Sequence, residues 1–133
     1  MLDGEKNQDQ QKPGAAEAGS SRQNHLTRVP IKLGKKTQYV PVHKIESFNS
    51  SGNYVEVSHQ GRSDLIRLGL GVLEAQLSPR KFLRISRTAI VNLDHVRELH
   101  TSGKRNMVLH LESGKVLKLT RNADRFEATI PYS

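Results

Sequence analysis

The stretch Lys81-Phe-Leu-Arg-Ile-Ser-Arg-Thr-Ala-Ile-Val-Asn-Leu-Asp-His-Val96 contains two apolar runs, one on each side of Arg87. A mixed α/β or mostly β core can absorb the apolar side chains of both runs. A guanidinium stays charged, and burying it without a partner costs several kcal/mol. We therefore expect Arg87 at the rim of the domain, in a turn that Ser86 and Thr88 hold through local hydrogen bonds to the backbone.

The chain around this stretch consists of short apolar or alternating runs separated by turn residues, a pattern typical of β-strands. Gly34-Lys35-Lys36 and Ser50-Ser51-Gly52-Asn53 each separate two such runs, as hairpin turns do, because glycine and asparagine tolerate a positive φ angle. The predicted strands are Val29–Leu33, Gln38–Val42, Ile45–Asn49, Tyr54–Ser58, Asp64–Leu68, Met107–Leu111 and Val116–Leu119.

Two segments predict short helices instead. The leucines of Leu70–Leu77 follow the spacing of one helix face, and Pro79 ends that segment. The segment Asn122–Ile130 begins with an asparagine, a good N-terminal cap, and Pro131 closes it. The sequence therefore predicts a mostly β fold of the α+β class with two short helices.

The length of 133 residues suits one domain with a modest core. Residues 1–24 are rich in Gln, Ala, Gly and Ser and contain few large apolar residues, so they cannot offset the entropy lost on ordering. We predict a disordered N-terminal tail or linker at 1–24 and a single domain at 25–133. The chain has no cysteine, no secretory signal pattern and no apolar run near the ~20 residues of a membrane span, so we expect a cytoplasmic protein.

Positive charge is the strongest bulk property of the sequence. Residues 1–24 contain three basic and four acidic residues, which leaves 18 of the 21 basic and nine of the 13 acidic residues in 25–133. The predicted domain therefore carries a charge of +9, counted with neutral histidines. A field of this sign attracts polyanions and steers their approach, which favours a nucleic acid as the partner.

The segment Phe-Leu-Arg-Ile-Ser-Arg-Thr-Ala-Ile-Val-Asn at 82–92 resembles the "F-x-R-x-H-R-S-x-x-V-N" signature of the LytTR family of bacterial DNA-binding domains. Three more pieces follow the order of the family, namely residues 45–55, the helical segment 70–77 and Leu117-Lys-Leu-Thr-Arg121. The resemblance covers roughly residues 28 to 130. It implies small antiparallel sheets with two short helices, and loops that enter the major groove of double-stranded DNA.

The resemblance also implies which side chains contact DNA. Arginine can bond O6 and N7 of guanine together, and asparagine can do the same with N6 and N7 of adenine. The expected base contacts are Asn53, Tyr54, Arg87 and Arg121. The expected phosphate or supporting contacts are Lys35, Lys36, Lys44, Arg84, Ser86, Thr88 and Asn122, and the sequence suggests further phosphate contacts from Arg80, Lys81, Lys104, Arg105, Lys115 and Lys118.

The chain departs from the family signature at two positions. Ser86 stands where the family has histidine, which removes one donor to a base or phosphate. Thr88 replaces a serine and adds a methyl group that can contact the methyl group of thymine. Asn92 matches the signature, but an asparagine that ends an apolar run usually bonds backbone in a turn, so we expect a structural role for it.

The resemblance further implies a transcriptional regulator that binds direct repeats near promoters as two protomers side by side. Most family members carry an upstream receiver domain, and residues 1–24 contain no acidic receiver pocket, so an upstream receiver, sensor or partner protein is expected outside this chain. Two alternatives remain from the residues themselves: an RNA-binding or single-strand-binding β module, and a basic protein-interaction domain. The first needs stacking aromatics, whereas most of the six tyrosines and phenylalanines lie in apolar runs typical of a core.

Motifs for catalysis, metals or cofactors are absent from the sequence. The six histidines are scattered, and none belongs to an H-E-x-x-H pattern. No phosphate-binding loop of the G-x-x-x-x-G-K-[ST] type occurs, and Ser86 with His95 lacks an orienting partner for nucleophilic catalysis. We therefore expect a protein that is not an enzyme and that uses neither metal nor cofactor.

Overall fold

The computed structural model describes residues 24–103 and 106–129. The predicted tail at 1–24, apart from its last residue, lies outside the described residues, as do Lys104, Arg105 and the end of the second predicted helix. The chain forms, in order, β1 (Arg28–Leu33), β2 (Lys36–Pro41), a 3₁₀ turn (Val42–Lys44), β3 (Ile45–Ser51), β4 (Tyr54–His59), β5 (Arg62–Ile66), α1 (Leu70–Gln76), β6 (Phe82–Ser86), β7 (Ala89–Asn92), a second 3₁₀ turn (Leu93–His95), β8 (Val96–Ser102), β9 (Asn106–Leu111), β10 (Val116–Lys118) and α2 (Ala123–Thr129).

The strands form three antiparallel sheets. The largest has the strand order β5-β4-β3-β7-β6, while β1 and β2 form a hairpin, and β10, β9 and β8 form a three-stranded sheet. This arrangement confirms the prediction of a mostly β fold made of small antiparallel sheets with two short helices.

The β6–β7 hairpin, built from the two apolar runs on either side of Arg87, separates two hydrophobic cores. Phe82 and Ile90 face the first core, where the ring of Phe82 packs against Phe48 with 5.9 Å between ring centroids. Leu83, Ile85, Ala89, Val91 and Leu93 belong to the second core, which also contains the buried leucines of β9. Because successive side chains of a strand point to opposite faces, a hairpin with apolar residues at both odd and even positions can bury both of its faces.

Each short helix covers one of the two cores. Leu70 and Leu73 of α1 are buried in the first core, and Phe126 of α2 is buried in the second. The cap prediction for α2 needs a correction, because the side-chain Nδ2 of Asn122 donates to Arg84 O at 2.7 Å and ties the start of the helix to β6. Asn122 also has a positive φ of 63°, not the extended conformation that N-cap residues usually adopt.

The bounds of the predicted strands differ from the observed ones by up to two residues, and β6, β7 and β8 are not among the seven predicted strands. The strand predicted at Asp64–Leu68 runs from Arg62 to Ile66, and Val96–Ser102 forms a strand that the sequence analysis did not predict. All seven residues of β8 are exposed or only half-buried, so its sequence lacks a continuous apolar face. This strand is stabilised by its pairing with β9, which places Leu99 opposite Leu109, and not by an apolar pattern of its own.

Asn92 has the structural role that its position predicted. It is 1% exposed, its Nδ2 donates to Ile45 O at 2.8 Å, and its Oδ1 accepts from the backbone N–H of Asp94 at 3.0 Å. These bonds join the end of β7 to the start of β3. A buried amide that satisfies backbone groups of β3 and of the second 3₁₀ turn in this way specifies how β7 meets β3.

The expectation that most aromatic side chains lie in the core is confirmed for the phenylalanines. Phe48, Phe82 and Phe126 are buried, whereas Tyr39 is 60% and Tyr54 is 42% exposed. Tyr132 lies outside the described residues.

Candidate nucleic-acid interface

Two turns lie at the same end of the five-stranded sheet. The turn at Gly52–Asn53 joins β3 to β4, and the turn at Arg87–Thr88 joins β6 to β7. Strand register places them side by side, since Asn49 pairs with Ala89 and the N–H of Ser50 donates to Thr88 O at 2.8 Å. We call this end of the sheet the loop end.

The loop at 120–122 docks onto the same end. The backbone N–H groups of Thr120 and Arg121 both donate to Ile85 O, at 2.8 and 2.9 Å. Asn122 adds its side-chain hydrogen bond to Arg84 O. The loop that carries Arg121 is therefore fixed to the last residues of β6, directly beside the turn that carries Arg87.

Arg87 is exposed at the rim, as predicted, and local hydrogen bonds hold its turn. Ser86 Oγ accepts from the N–H of Thr88 at 3.1 Å and lies 3.3 Å from Thr88 Oγ1. These bonds give both side chains a part in holding the turn, and Thr88 remains exposed while Ser86 is half-buried.

Arg84 lies beneath this turn and supports it from below. Its Nε donates to Ser86 O at 2.9 Å and its Nη2 donates to Arg87 O at 2.7 Å, while Nη1 pairs with Glu74 Oε1 at 3.0 Å. The side chain is only 14% exposed. Of the roles expected for Arg84, the structure favours support of the loop over contact with phosphate, because all three guanidinium nitrogens already bond to protein.

Asn53 and Tyr54, the other two expected base contacts, lie at the Gly52–Asn53 turn. Asn53 is exposed in the turn, and Gly52 adopts a positive φ of 62° that suits glycine. Tyr54 begins β4, and Arg67 Cζ lies 5.9 Å from the centroid of its ring. The structure thus brings all four expected base contacts to the loop end.

The expected phosphate contacts are more dispersed. Lys35 and Lys36 are exposed at the β1–β2 turn. Lys44 is exposed just before β3, and it therefore lies at the end of the five-stranded sheet opposite the loop end. Lys115 donates from Nζ to Ser58 Oγ at 2.8 Å, and Lys81 pairs with Asp94 at 3.1 Å.

Arg67 is a further cation at the loop end that the sequence analysis missed. The predicted strand ran to Leu68 and placed Arg67 inside it, whereas β5 ends at Ile66 and leaves Arg67 exposed just beyond the strand end. A predicted strand that ended at Ile66 would have put Arg67 in the following loop and so identified it as a loop-end cation.

The histidines of β4, β8 and β9 lie away from these loops. His59 is buried with Nε2 2.8 Å from Asp64 Oδ2, and the stacked rings of His100 and His110 lie on the three-stranded sheet with centroids 3.9 Å apart. The hydrogen bond from His100 lowers the pKa of Glu98 below its ordinary value. Within residues 24–103 and 106–129, no three histidine or carboxylate side chains are grouped so that they could hold a metal ion. In the same part of the chain, no helix is long and apolar enough to cross a membrane.

Comparison with known proteins gives matches both in sequence and in structure. A sequence profile described as LytTr DNA-binding domain matches residues 35–126. The chain is 36% identical over 73 residues to the CO-responsive transcriptional regulator RcoM of Rhodospirillum rubrum, in a match that covers 55% of this chain and 31% of RcoM. The chain thus spans less than a third of the length of that relative.

A solved LytTr DNA-binding domain from Bacillus cereus aligns with a TM-score of 0.71 at 18% identity. The alignment covers 80% of this chain and 99% of the solved one, so the two share a fold. The sequence profile matches more than half of the chain and shows that the protein belongs to the family of LytTr DNA-binding domains.

Proposed function

We propose that this chain binds double-stranded DNA in a sequence-specific manner as the DNA-binding part of a bacterial transcriptional regulator. The proposal is supported by the geometry of the loop end, where hydrogen bonds hold three polar loops side by side. A rigid sheet that presents several polar loops in fixed relation suits recognition of base edges, because each side chain is positioned before DNA arrives.

Arg87 and Arg121 are the strongest candidates for base contacts. Each is exposed, and each lies on a loop that is anchored to the end of β6. We assign them bidentate contacts with guanine and assign Asn53 a contact with adenine. We assign the methyl group of Thr88 a contact with thymine, and we assign Lys35 and Lys36 to phosphates.

The rest of the proposal concerns the whole regulator. We propose direct repeats as the DNA site, two protomers on it, a bacterial cytoplasmic location at the nucleoid, and no catalytic activity. The curated relative RcoM is described as a CO-responsive transcriptional regulator, and its greater length leaves room for a sensing part beside the DNA-binding part. We propose a comparable division of labour, with the signal received outside residues 25–133.

The single-strand alternative has little support from the described aromatic residues. Stacking platforms require exposed rings, and three phenylalanines are buried. Of the two exposed tyrosines, Tyr54 lies against Arg67. The loop end presents arginine and asparagine side chains, which suit the edges of paired bases better than the faces of unpaired ones.

Selection of bound duplexes from a random pool, performed at two salt concentrations, tests this function. We expect a paired direct-repeat motif to emerge and to persist at the higher salt, because base contacts do not depend on counterion release. Binding that is sensitive to salt and indifferent to sequence would contradict the proposal. Preference for single-stranded DNA or RNA of the same sequence would favour the alternative.

A further inference from the structure

The ends of five strands and the 120–122 loop form one continuous row at the loop end. The sheet order β5-β4-β3-β7-β6 places Arg67 at one extreme, then the Gly52–Asn53 turn, then the Arg87–Thr88 turn, with Arg121 at the other extreme. Neighbouring strands lie about 4.8 Å apart, so the strand ends from β5 to β6 span about 19 Å. The proposed base contacts occupy the row from Asn53 onward, and Arg67 extends it in the opposite direction.

We propose that Arg67 contacts a DNA phosphate beside the Asn53 loop, and that the ring of Tyr54 holds its guanidinium in place. This inference rests on the proposed function, because it adds one contact to the same DNA-binding edge. It also gives Tyr54 a positioning role in place of the base contact that the family resemblance implies.

Strand register explains why Arg67 reaches a phosphate and not a base. Ile66 pairs with Val55, so Arg67 lies beside Tyr54, while the Gly52–Asn53 turn projects beyond the Ser51–Tyr54 pair. The backbone of Arg67 is therefore set back from the tip of that turn by about one residue, or roughly 3 Å. A side chain that is set back from a groove-inserting loop meets the sugar-phosphate backbone at the edge of the groove first.

The surroundings of Arg67 leave its charge available to a phosphate. Among residues 24–103 and 106–129 no carboxylate pairs with it, whereas Arg62, at the far end of β5, has Asp64 and Arg84 has Glu74. The Tyr54 ring, 5.9 Å from Arg67 Cζ, favours the cation without neutralising it. An exposed arginine with an aromatic ring at this distance is partly ordered and keeps its hydrogen-bond donors for an anion.

The test compares Arg67→Ala with Arg62→Ala, which removes the same charge from the opposite end of β5. Affinity is measured between 50 and 200 mM salt, on the duplex selected from the random pool and on a scrambled duplex. We expect Arg67→Ala to lower the slope of log affinity against log salt by about 0.9 on both duplexes. The affinity ratio between the two salt concentrations then falls by about 3.5-fold, because a fourfold change in salt acts through that exponent. Arg62→Ala should leave the slope unchanged.

Two substitutions at Tyr54 test the role of the ring. Tyr54→Phe keeps the aromatic face, so we expect wild-type affinity on both duplexes. Tyr54→Leu removes the face, so we expect part of the affinity loss seen with Arg67→Ala. A loss in Tyr54→Phe confined to the selected duplex would instead show that the hydroxyl contacts a base, and it would overturn the positioning role.

The outcomes separate this inference from the proposed function. An unchanged salt slope in Arg67→Ala, while the wild type still prefers its selected duplex, overturns the inference alone and assigns Arg67 to the rim of the apolar groove beside Leu65 and Leu68. A wild type without sequence preference contradicts the proposed function, and the scrambled duplex still reports whether Arg67 contributes to the slope. Thermal unfolding of each variant checks that the exposed substitutions leave the fold intact.

Discussion

At the scale of single residues, the arginines of β6 and its neighbouring loops have different tasks although they are close in sequence. Arg84 has three nitrogens bonded to protein, whereas Arg87 and Arg121 are exposed at the loop end. Their different tasks follow from where strand alternation and the two loops place each side chain.

Arg87→Ala and Arg121→Ala should each weaken binding to the selected duplex by about 1–3 kcal/mol and have little effect on random DNA, if each arginine bonds a base in two places. A fluorescence titration against both duplexes measures the difference. Arg97→Ala is the matched control, because Arg97 is exposed at the end of the three-stranded sheet opposite the 120–122 loop. Equal losses on both duplexes would reassign the two arginines to phosphate contacts.

Arg84→Ala should lower the free energy of unfolding by at least about 1.5–3 kcal/mol, the contribution of one hydrogen bond to a charged group, because this side chain makes three such bonds. Arg84→Lys should recover little of the loss, because an ammonium cannot reproduce the planar fork that bridges Ser86 O and Arg87 O. Urea unfolding measures both variants.

Glu74→Ala is the control for Arg84. It removes only the ion pair of a carboxylate that is 44% exposed, so we expect a change of about 0–1 kcal/mol. If Glu74→Ala and Arg84→Ala are equally destabilising, the ion pair and not the support of the turn is the main contribution of Arg84.

At the scale of elements, the β6–β7 hairpin is the part on which both cores and the loop end depend. Its two faces pack in different cores, and its last residues anchor the 120–122 loop. A change inside the hairpin therefore acts on stability and on the position of Arg87 and Arg121 together.

Ile85→Ala should destabilise the protein by about 2–5 kcal/mol, the range for a buried isoleucine whose removal leaves a cavity. Ile85 is 0% exposed, and its carbonyl accepts the two N–H bonds of the 120–122 loop. Val72→Ala on α1, where the side chain is 48% exposed, should change stability by less than about 0.5 kcal/mol. Chemical denaturation measures both, and a mild effect of Ile85→Ala would contradict the central place of the hairpin.

Asn122→Gly should be better tolerated than Asn122→Ala. Both remove the hydrogen bond to Arg84 O, but alanine must also adopt the φ of 63°, at a cost of about 1–2 kcal/mol. Glycine accepts that conformation without strain. Unfolding free energies of the two variants give the difference, and equal values would indicate that the loop changes conformation when Asn122 is replaced.

At the scale of the whole molecule, the positions of the positive side chains say more about DNA binding than the net charge of +9 in residues 25–133. Arg67, Arg87 and Arg121 lie at the loop end of the five-stranded sheet, whereas Lys44 lies at the opposite end. At a Debye length of about 8 Å in physiological salt, exposed charges at the two ends of a sheet act on DNA almost independently.

Lys44→Ala should therefore lower the salt slope of DNA binding by much less than the value of about 0.9 expected for one lost phosphate contact. The measurement is the same titration between 50 and 200 mM salt. A decrease of about 0.9 in the salt slope would mean that DNA extends past the loop end to the other end of the sheet.

Much of the fold followed from local sequence. Alternating runs, glycine turns and leucine spacing predicted seven strands and both helices close to where they lie, because periodicity and turn chemistry act over a few residues. The strand β8 was missed for the same reason. Its stability comes from pairing with β9, and a half-exposed edge strand carries no continuous apolar face of its own.

The candidate site was likewise predicted only in part from the sequence. The residue types and their places at strand ends identified Asn53, Arg87 and Arg121, because a short polar loop between apolar strands is visible in the sequence. The support by Arg84, the tie from Asn122 to β6 and the exposure of Arg67 depend on the exact ends of strands and on partners that are distant in sequence.

The sequence by itself determined the class of fold, the polar loops and the sign of the charge, all of which arise from neighbouring residues. Only the tertiary structure decided that these loops form one edge and that the β6–β7 hairpin divides two cores. Those features depend on strand order and register, in which Asn49 meets Ala89 and Ile85 meets the 120–122 loop across 35 or more positions of the chain. Pairings over such separations are selected by the packing of the whole chain, and no local pattern encodes them.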